Sequence, residues 1–138
     1  MAAALQAQKK ELNEYYIYSK LARICKDTHN AEILRKVGEA EKHHALFWQK
    51  LTGKEVKPSR FAILKNILTA RVLGLTFTLK QMEKNEGTAS RNYMELSKEI
   101  PEIAQFSKDE AEHEKELLNI AKREGFTSFP VNFCQNKA

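Results

Sequence analysis

The chain has little of what builds loops or metal–thiolate sites. Its 138 residues include two cysteines, three prolines and five glycines. Cys25 and Cys134 lie far apart and form no Cys-x-x-Cys motif, which excludes a rubredoxin-type or zinc-ribbon site from this sequence. Two lone thiols suit a reducing compartment, and a single disulfide between them is the alternative. The few prolines and glycines favour long regular elements.

Long hydrophobic runs are also missing. The most apolar stretch, 61–82, is interrupted by Lys65, Arg71 and Lys80, so it predicts a core helix and not a membrane span. The first residues contain no apolar run of signal-peptide length. We therefore expect a soluble, cytoplasmic protein with no membrane span in this chain.

No long run of one charge is present. The net charge is +5, but acidic and basic residues alternate and the Lys- and Arg-rich runs, such as Lys9-Lys10, are short. Such runs are typical of solvated helix faces, so we expect no nucleic-acid partner.

The residues that remain favour helices, because Leu, Ala, Glu and Lys dominate. Apolar residues recur at intervals of three and four over 4–26, which predicts an amphipathic first helix. Asn30 can cap a second helix that runs to about Thr52, where Gly53 is a natural stop. At 42% hydrophobic residues, a chain of this length can fill the core of one domain.

A third helical pattern is unusually long. It runs from about 60 to 99, after a linker in which Ser59 can act as the N-cap. About 40 residues at 1.5 Å each would give a helix of roughly 60 Å. Gly74 or Gly87 can mark a break, a kink or a close helix contact within it.

Pro101 suits the first turn of a fourth helix, which should run to about Glu124 and stop at Gly125. The expected architecture is therefore all-α, with a four-helix bundle over residues 1–125. Residues 126–138 should form a short, irregular C-terminal tail.

Two Glu-x-x-His pairs carry the most chemical information. Glu41 and His44 fall in the second helix, and Glu110 and His113 in the fourth. Residues three apart share one helix face, so each pair directs a carboxylate and an imidazole to the same point. Each histidine falls on an apolar stripe, where a neighbouring ionised Glu is costly to bury unless a charge such as a metal ion compensates it.

The other two helices supply further carboxylates. Glu11 lies in the first helix, and Glu83 and Glu86 lie in the third, where either or both can be ligands. These Glu positions and two His match the donor set of a dinuclear iron or manganese carboxylate bundle, whereas zinc would favour more His or Cys. Tyr18, two turns after Glu11, can hydrogen-bond a ligand carboxylate or pass an electron, and a plain core tyrosine is the alternative.

The combined pattern resembles the ferritin-like superfamily, specifically its rubrerythrin-type domains. The residues that carry the resemblance are, in order, Glu11, Tyr18, Glu41-x-x-His44, Glu83-x-x-Glu86 and Glu110-x-x-His113. The stretches 11–22, 47–53 and 73–79 are also similar to ferritin-like domains that are fused to vacuolar-iron-transporter-type membrane proteins. The resemblance covers nearly the whole chain up to Glu124.

This resemblance implies a di-iron centre in which Glu41 and Glu110 bridge two iron ions, with manganese as the alternative metal. It implies an oxidoreductase that oxidises its Fe(II) pair with hydrogen peroxide or dioxygen. An external electron donor is then needed, because the chain lacks the rubredoxin domain of a full rubrerythrin. The alternatives are an iron-handling domain that binds, senses or delivers iron, including to a transporter, and a metal-free interaction module.

The ligands must lie at one level of the bundle. Glu41 is about a dozen residues from the end of its helix and Glu83 about two dozen from the start of the next, so a simple hairpin would misplace them by roughly 15–20 Å. Either 54–73 forms a long crossover, or the third helix stays continuous and two chains exchange helix pairs. We expect a homodimer in both cases.

Overall fold

The computed structural model describes residues 1–124, and every regular element in that range is helical. This confirms the all-α class for the described part of the chain. The predicted helix stop at Gly125 and the predicted tail lie outside the described residues. The α-helices are α1 (Ala2–Ile24), α2 (Thr28–Thr52), α3 (Arg60–Leu73), α4 (Leu75–Leu96) and α5 (Ala104–Glu124), with a single 3-10 turn at Pro101–Ile103 before α5. None of these helices has the length and apolar character that crossing a bilayer requires.

The boundaries of α2 come from local chemistry. The carboxylate of Asp27 accepts a hydrogen bond of 2.8 Å from the backbone N–H of Asn30, so Asp27 is the N-cap and the prediction of Asn30 was wrong. Asp27 has the extended backbone that lets a capping side chain reach the N–H three residues ahead. At the other end Gly53 has a φ of 67°, and its N–H donates to the carbonyl of Gln49, which confirms it as the helix stop.

The long third helix divides at Gly74. This residue has φ 96° and ψ 156°, a conformation that a side chain would make unfavourable, and it separates α3 from α4. Of the alternatives left open for the long helical pattern, a break at Gly74 is confirmed. The continuous helix over 60–99 is wrong, and the described residues form five α-helices where four were predicted. Ser59 does act as a cap, because its hydroxyl accepts a hydrogen bond of 3.2 Å from the N–H of Ala62.

The break also changes the environment of the apolar stretch 61–82. The part in α4 is mostly buried, including Leu75, Leu79 and Met82. The part in α3 leaves several large apolar side chains exposed, so the expectation of a core helix was wrong for that half.

The described chain separates into two compact units, and the first covers Met1–Leu68. Here α1 packs along α2. A Cβ on Gly38 would lie 3.3 Å from the Cβ of Tyr18, so the missing side chain is what allows this close approach. Near the end of the helix pair, Thr52 donates to the side-chain oxygen of Gln8, and the amide of Gln8 donates to the carbonyl of Lys54, both at 2.8 Å.

The second unit begins at Thr69, and within it α4 packs along α5. Two serines connect these helices reciprocally: the hydroxyl of Ser90 donates to the carbonyl of Ser107 at 2.7 Å, and that of Ser107 donates back to the carbonyl of Ser90 at 2.9 Å. Both serines are buried, so these bonds set the register of α4 against α5. Gly87 lies opposite the carboxylate of Glu114, whose nearest oxygen would be 2.8 Å from an added Cβ.

The two helix glycines predict opposite responses to alanine. In Gly38→Ala the new methyl meets the Cβ of Tyr18 and the backbone carbonyl of Tyr15, neither of which moves freely. The cost of overpacking, about 1–3 kcal/mol, should exceed the gain in helix propensity, about 1 kcal/mol. The substitution should therefore lower the free energy of unfolding. In Gly87→Ala only the flexible end of Glu114 must move, so stability should stay level or rise. Urea unfolding measures both, and equal losses would contradict this reading of the α1–α2 contact.

Candidate metal centre

Three side chains of the first unit bring metal-ligand atoms together. Nδ1 of His44 lies 3.7 Å from a carboxylate oxygen of Glu11 and 3.4 Å from one of Glu41. Glu11 and Glu41 are 0% exposed and His44 is 2% exposed. One donor atom of each lies within 4.8 Å of the donors of the other two, a spacing that can hold a metal ion. We call these residues the first triad.

The sequence produces this arrangement in two steps. The three-residue spacing of Glu41 and His44 places both on one face of α2. Gly38, one turn before Glu41 on the same helix, then lets α1 approach closely enough for Glu11 to join them.

The second unit repeats the same donor set. Nδ1 of His113 lies 3.3 Å from a carboxylate oxygen of Glu110, its neighbour one turn earlier on α5. Glu86 of α4 completes the group, and the three donors again lie within 4.8 Å of one another. Glu86 and Glu110 are 0% exposed and His113 is 7% exposed. We call these residues the second triad.

The serine pair explains why Glu86 reaches Glu110. Ser90 follows Glu86 by four residues and Ser107 precedes Glu110 by three, so each serine lies about one turn from a ligand on its own helix. The reciprocal bonds between the serines hold the two helices in the register that brings the carboxylates together.

The charges of each triad suit a divalent cation. Two ionised carboxylates carry two negative charges, and one imidazole offsets at most one of them even when it is protonated. A divalent ion would offset both carboxylates. Carboxylate oxygen and imidazole nitrogen are ligands that iron and manganese accept.

The other predicted site residues differ in their burial and in whether they belong to a donor cluster. Glu83 is half-buried on α4 and is not among the donors that the described residues bring together, whereas Glu86 is. Tyr18 is fully buried on α1, and its proposed role in catalysis stays a prediction. His29 and His43, which the sequence left outside the ligand set, are exposed.

One residue near the first triad was overlooked. Lys10 was interpreted as part of a solvated basic run, but its ammonium lies 2.8 Å from a carboxylate oxygen of Glu14 and 4.0 Å from one of Glu11. Glu14 is buried, so this cation lies at the edge of the ligand cluster. The four-residue spacing of Lys10 and Glu14 was the available signal, because side chains at that spacing meet on a helix.

The buried charge predicts that a ligand substitution stabilises the metal-free protein. Replacing Glu41 by Gln keeps the shape of the side chain and removes one of two neighbouring carboxylate charges. His44 keeps its contact with the carboxylate of Glu11. In the presence of a strong chelator, we expect the Tm to rise by a few degrees. This corresponds to a gain of about 1–2 kcal/mol in the free energy of unfolding, a usual size for one substitution. Glu83→Gln is the matched control and should change little. A loss of stability in Glu41→Gln as large as that of a core truncation would contradict this electrostatic interpretation.

Comparisons with known proteins do not add to this geometry. No protein-family model, curated protein or solved structure matches the chain. A function for this chain is therefore inferred from its own residues, chiefly from two buried triads that each combine two carboxylates with one imidazole.

Proposed function

We propose that the two triads together hold a pair of metal ions and form a non-haem di-iron centre. The observation that supports this most directly is the repetition of one donor set. Each unit presents a Glu on one helix and a Glu-x-x-His pair on the helix packed against it, and all six side chains are buried. Two equivalent triads suit two equivalent ions, and carboxylates that can bridge them outnumber the histidines.

Within this proposal each residue has a distinct task. Glu41 and Glu110 would bridge the two ions. His44 and Glu11 would complete the coordination of one ion, and His113 and Glu86 that of the other. Manganese is the alternative metal, because the same donor set suits both.

The proposed reaction is the reduction of hydrogen peroxide, or of dioxygen. A bound iron pair supplies two electrons, one from each ion, which is the number that converts peroxide and two protons into two waters. The chain contributes carboxylates that neutralise the charge of the oxidised metal and a buried setting that limits access of bulk water. Tyr18, on the same helix as Glu11, is proposed to orient a ligand carboxylate or pass an electron. Repeated turnover would need an external electron donor.

Metal binding predicts stabilisation and a defined stoichiometry. In the absence of oxygen, each pair of triads should bind two Fe(II) ions. Binding should raise the Tm, because a ligand at a hundred times its Kd raises the free energy of unfolding by about 2.7 kcal/mol. Glu86→Ala should abolish most of this rise, and so should Glu41→Ala and Glu110→Ala. Metal analysis and thermal unfolding with and without Fe(II) measure both effects.

Glu83→Ala is the matched control, since Glu83 lies on the same helix as Glu86 but outside the second triad. It should keep the full stoichiometry and the full rise in Tm. A chain that binds no stoichiometric metal and keeps its Tm on adding Fe(II) would be a metal-free interaction module.

The homodimer expected from the sequence can be tested by complementation between chains. If two chains exchange helix pairs, each centre joins the first triad of one chain to the second triad of the other. Refolding Glu41→Ala and Glu110→Ala chains together would then restore one intact centre in each mixed dimer, and about half of the dimers would be mixed. If both triads of a centre belong to one chain, the mixture should bind no more iron than either variant alone. Iron content after gel filtration distinguishes the two arrangements.

Reaction stoichiometry distinguishes peroxide reduction from iron handling. A peroxide reductase should consume many equivalents of hydrogen peroxide when a chemical reductant is supplied, and lose that activity in Glu41→Ala. An iron-handling domain should oxidise its Fe(II) once and then release iron to a competing chelator. Single-turnover oxidation with rapid release, even with reductant in excess, would replace the proposed reductase by the iron-handling alternative.

A further inference from the structure

Helix α3 presents an exposed apolar surface that the proposed metal centre does not use. Its members, which we call the α3 stripe, follow spacings of three, four and four residues and therefore share one face of the helix. They are Phe61 (77% exposed), Leu64 (65%), Leu68 (56%) and Val72 (69%). Four large apolar side chains so exposed on one short helix are unusual for a surface that meets only water.

Two side chains on the opposite face of α3 are buried. Ile63 is 7% exposed and Ala70 is 6% exposed, and both lie well away from the α3 stripe on the helix. The exposed α3 stripe extends over about 17 Å at 1.5 Å per residue.

Cations flank the stripe on both edges. At about 100° per residue, Arg60 and Arg71 lie on one side of it and Lys65 on the other, and all three are exposed. No acidic residue occurs from 56 to 82, while five basic residues do. This segment is the largest departure from the alternation of charges in the rest of the chain.

We propose that α3 is a docking surface for an anionic lipid bilayer. The helix would lie in the plane of the surface, with the α3 stripe at the boundary of the acyl chains and the flanking cations at the lipid phosphates. Apolar side chains bordered by Lys and Arg are the pattern of interfacial helices, in which long basic side chains extend to the headgroups. Anionic lipid also complements the charge of a segment that carries no acid of its own.

Charge argues against a second α3 as the occupant of this surface. Pairing two α3 stripes would bring Arg60, Lys65 and Arg71 of each helix together without a carboxylate on either helix to offset them. Like charges at such spacing are unfavourable, whereas paired helices usually carry opposite charges beside their apolar seam. An anionic surface removes that repulsion and covers the same apolar side chains.

Vesicle flotation of the full chain tests this docking surface. Vesicles of equal parts phosphatidylglycerol and phosphatidylcholine should carry the protein to the top of the gradient, and pure phosphatidylcholine vesicles should not. Lys65→Gln and Arg71→Gln should each weaken binding about fivefold, and added salt should weaken it further. Leu64→Ser combined with Leu68→Ser should abolish binding with or without bound iron, because the surface does not depend on the metal centre.

Met94→Ser is the matched control, because Met94 is 59% exposed on α4 and is not a member of the α3 stripe. It should leave binding unchanged. Circular dichroism before lipid is added establishes that each variant keeps its helices. Absence of flotation with anionic vesicles, or equal flotation with neutral ones, would overturn the proposal. So would a lipid-free dimer that the paired serine substitution converts to a monomer, since a second copy would then be the occupant.

Discussion

Burial of ionisable side chains is the constraint on which the proposed centre depends. Four glutamates and two histidines of the triads are 7% exposed or less, in a chain of 138 residues. A carboxylate removed from water destabilises the fold unless a nearby charge compensates it. Each triad combines two carboxylates with one imidazole, a donor set that suits a divalent metal ion. Selection for stability alone would not be expected to retain such clusters.

Each helix pair holds its triad through close contacts at small side chains. In the first unit Gly38 lets α1 approach the face of α2 that carries Glu41. In the second unit the bonds between Ser90 and Ser107 hold α4 against α5 within about one turn of both carboxylates. Different contacts thus produce the same donor set, which supports a functional origin for the repetition. The exposed face of α3, by contrast, has no part in either triad.

The sequence predicted much of this from local patterns, because helices and their shared faces depend on residues three or four apart. The Glu-x-x-His spacing predicted that Glu41 and Glu110 would each meet a histidine, and Gly53 was recognised as a stop. The same local rules were insufficient at Asn30, where Asp27 proved to be the cap. They were also insufficient for Lys10, because a basic run on a helix does not reveal which acid lies beside it.

The sequence by itself determined the helical class and the residue types that could hold a metal, since both depend on composition and short-range spacing. Only the tertiary structure shows that Glu86, and not Glu83, joins Glu110 and His113 in one donor cluster of the described residues. Glu83 and Glu86 lie one turn apart, and the packing of α4 against α5 selects which carboxylate faces Glu110. It also decided which of the sequence's alternatives applies at Gly74, where the apolar stretch divides, and it leaves the α3 stripe exposed. Periodicity shows that a helix has an apolar face, but what covers that face depends on residues distant in the chain.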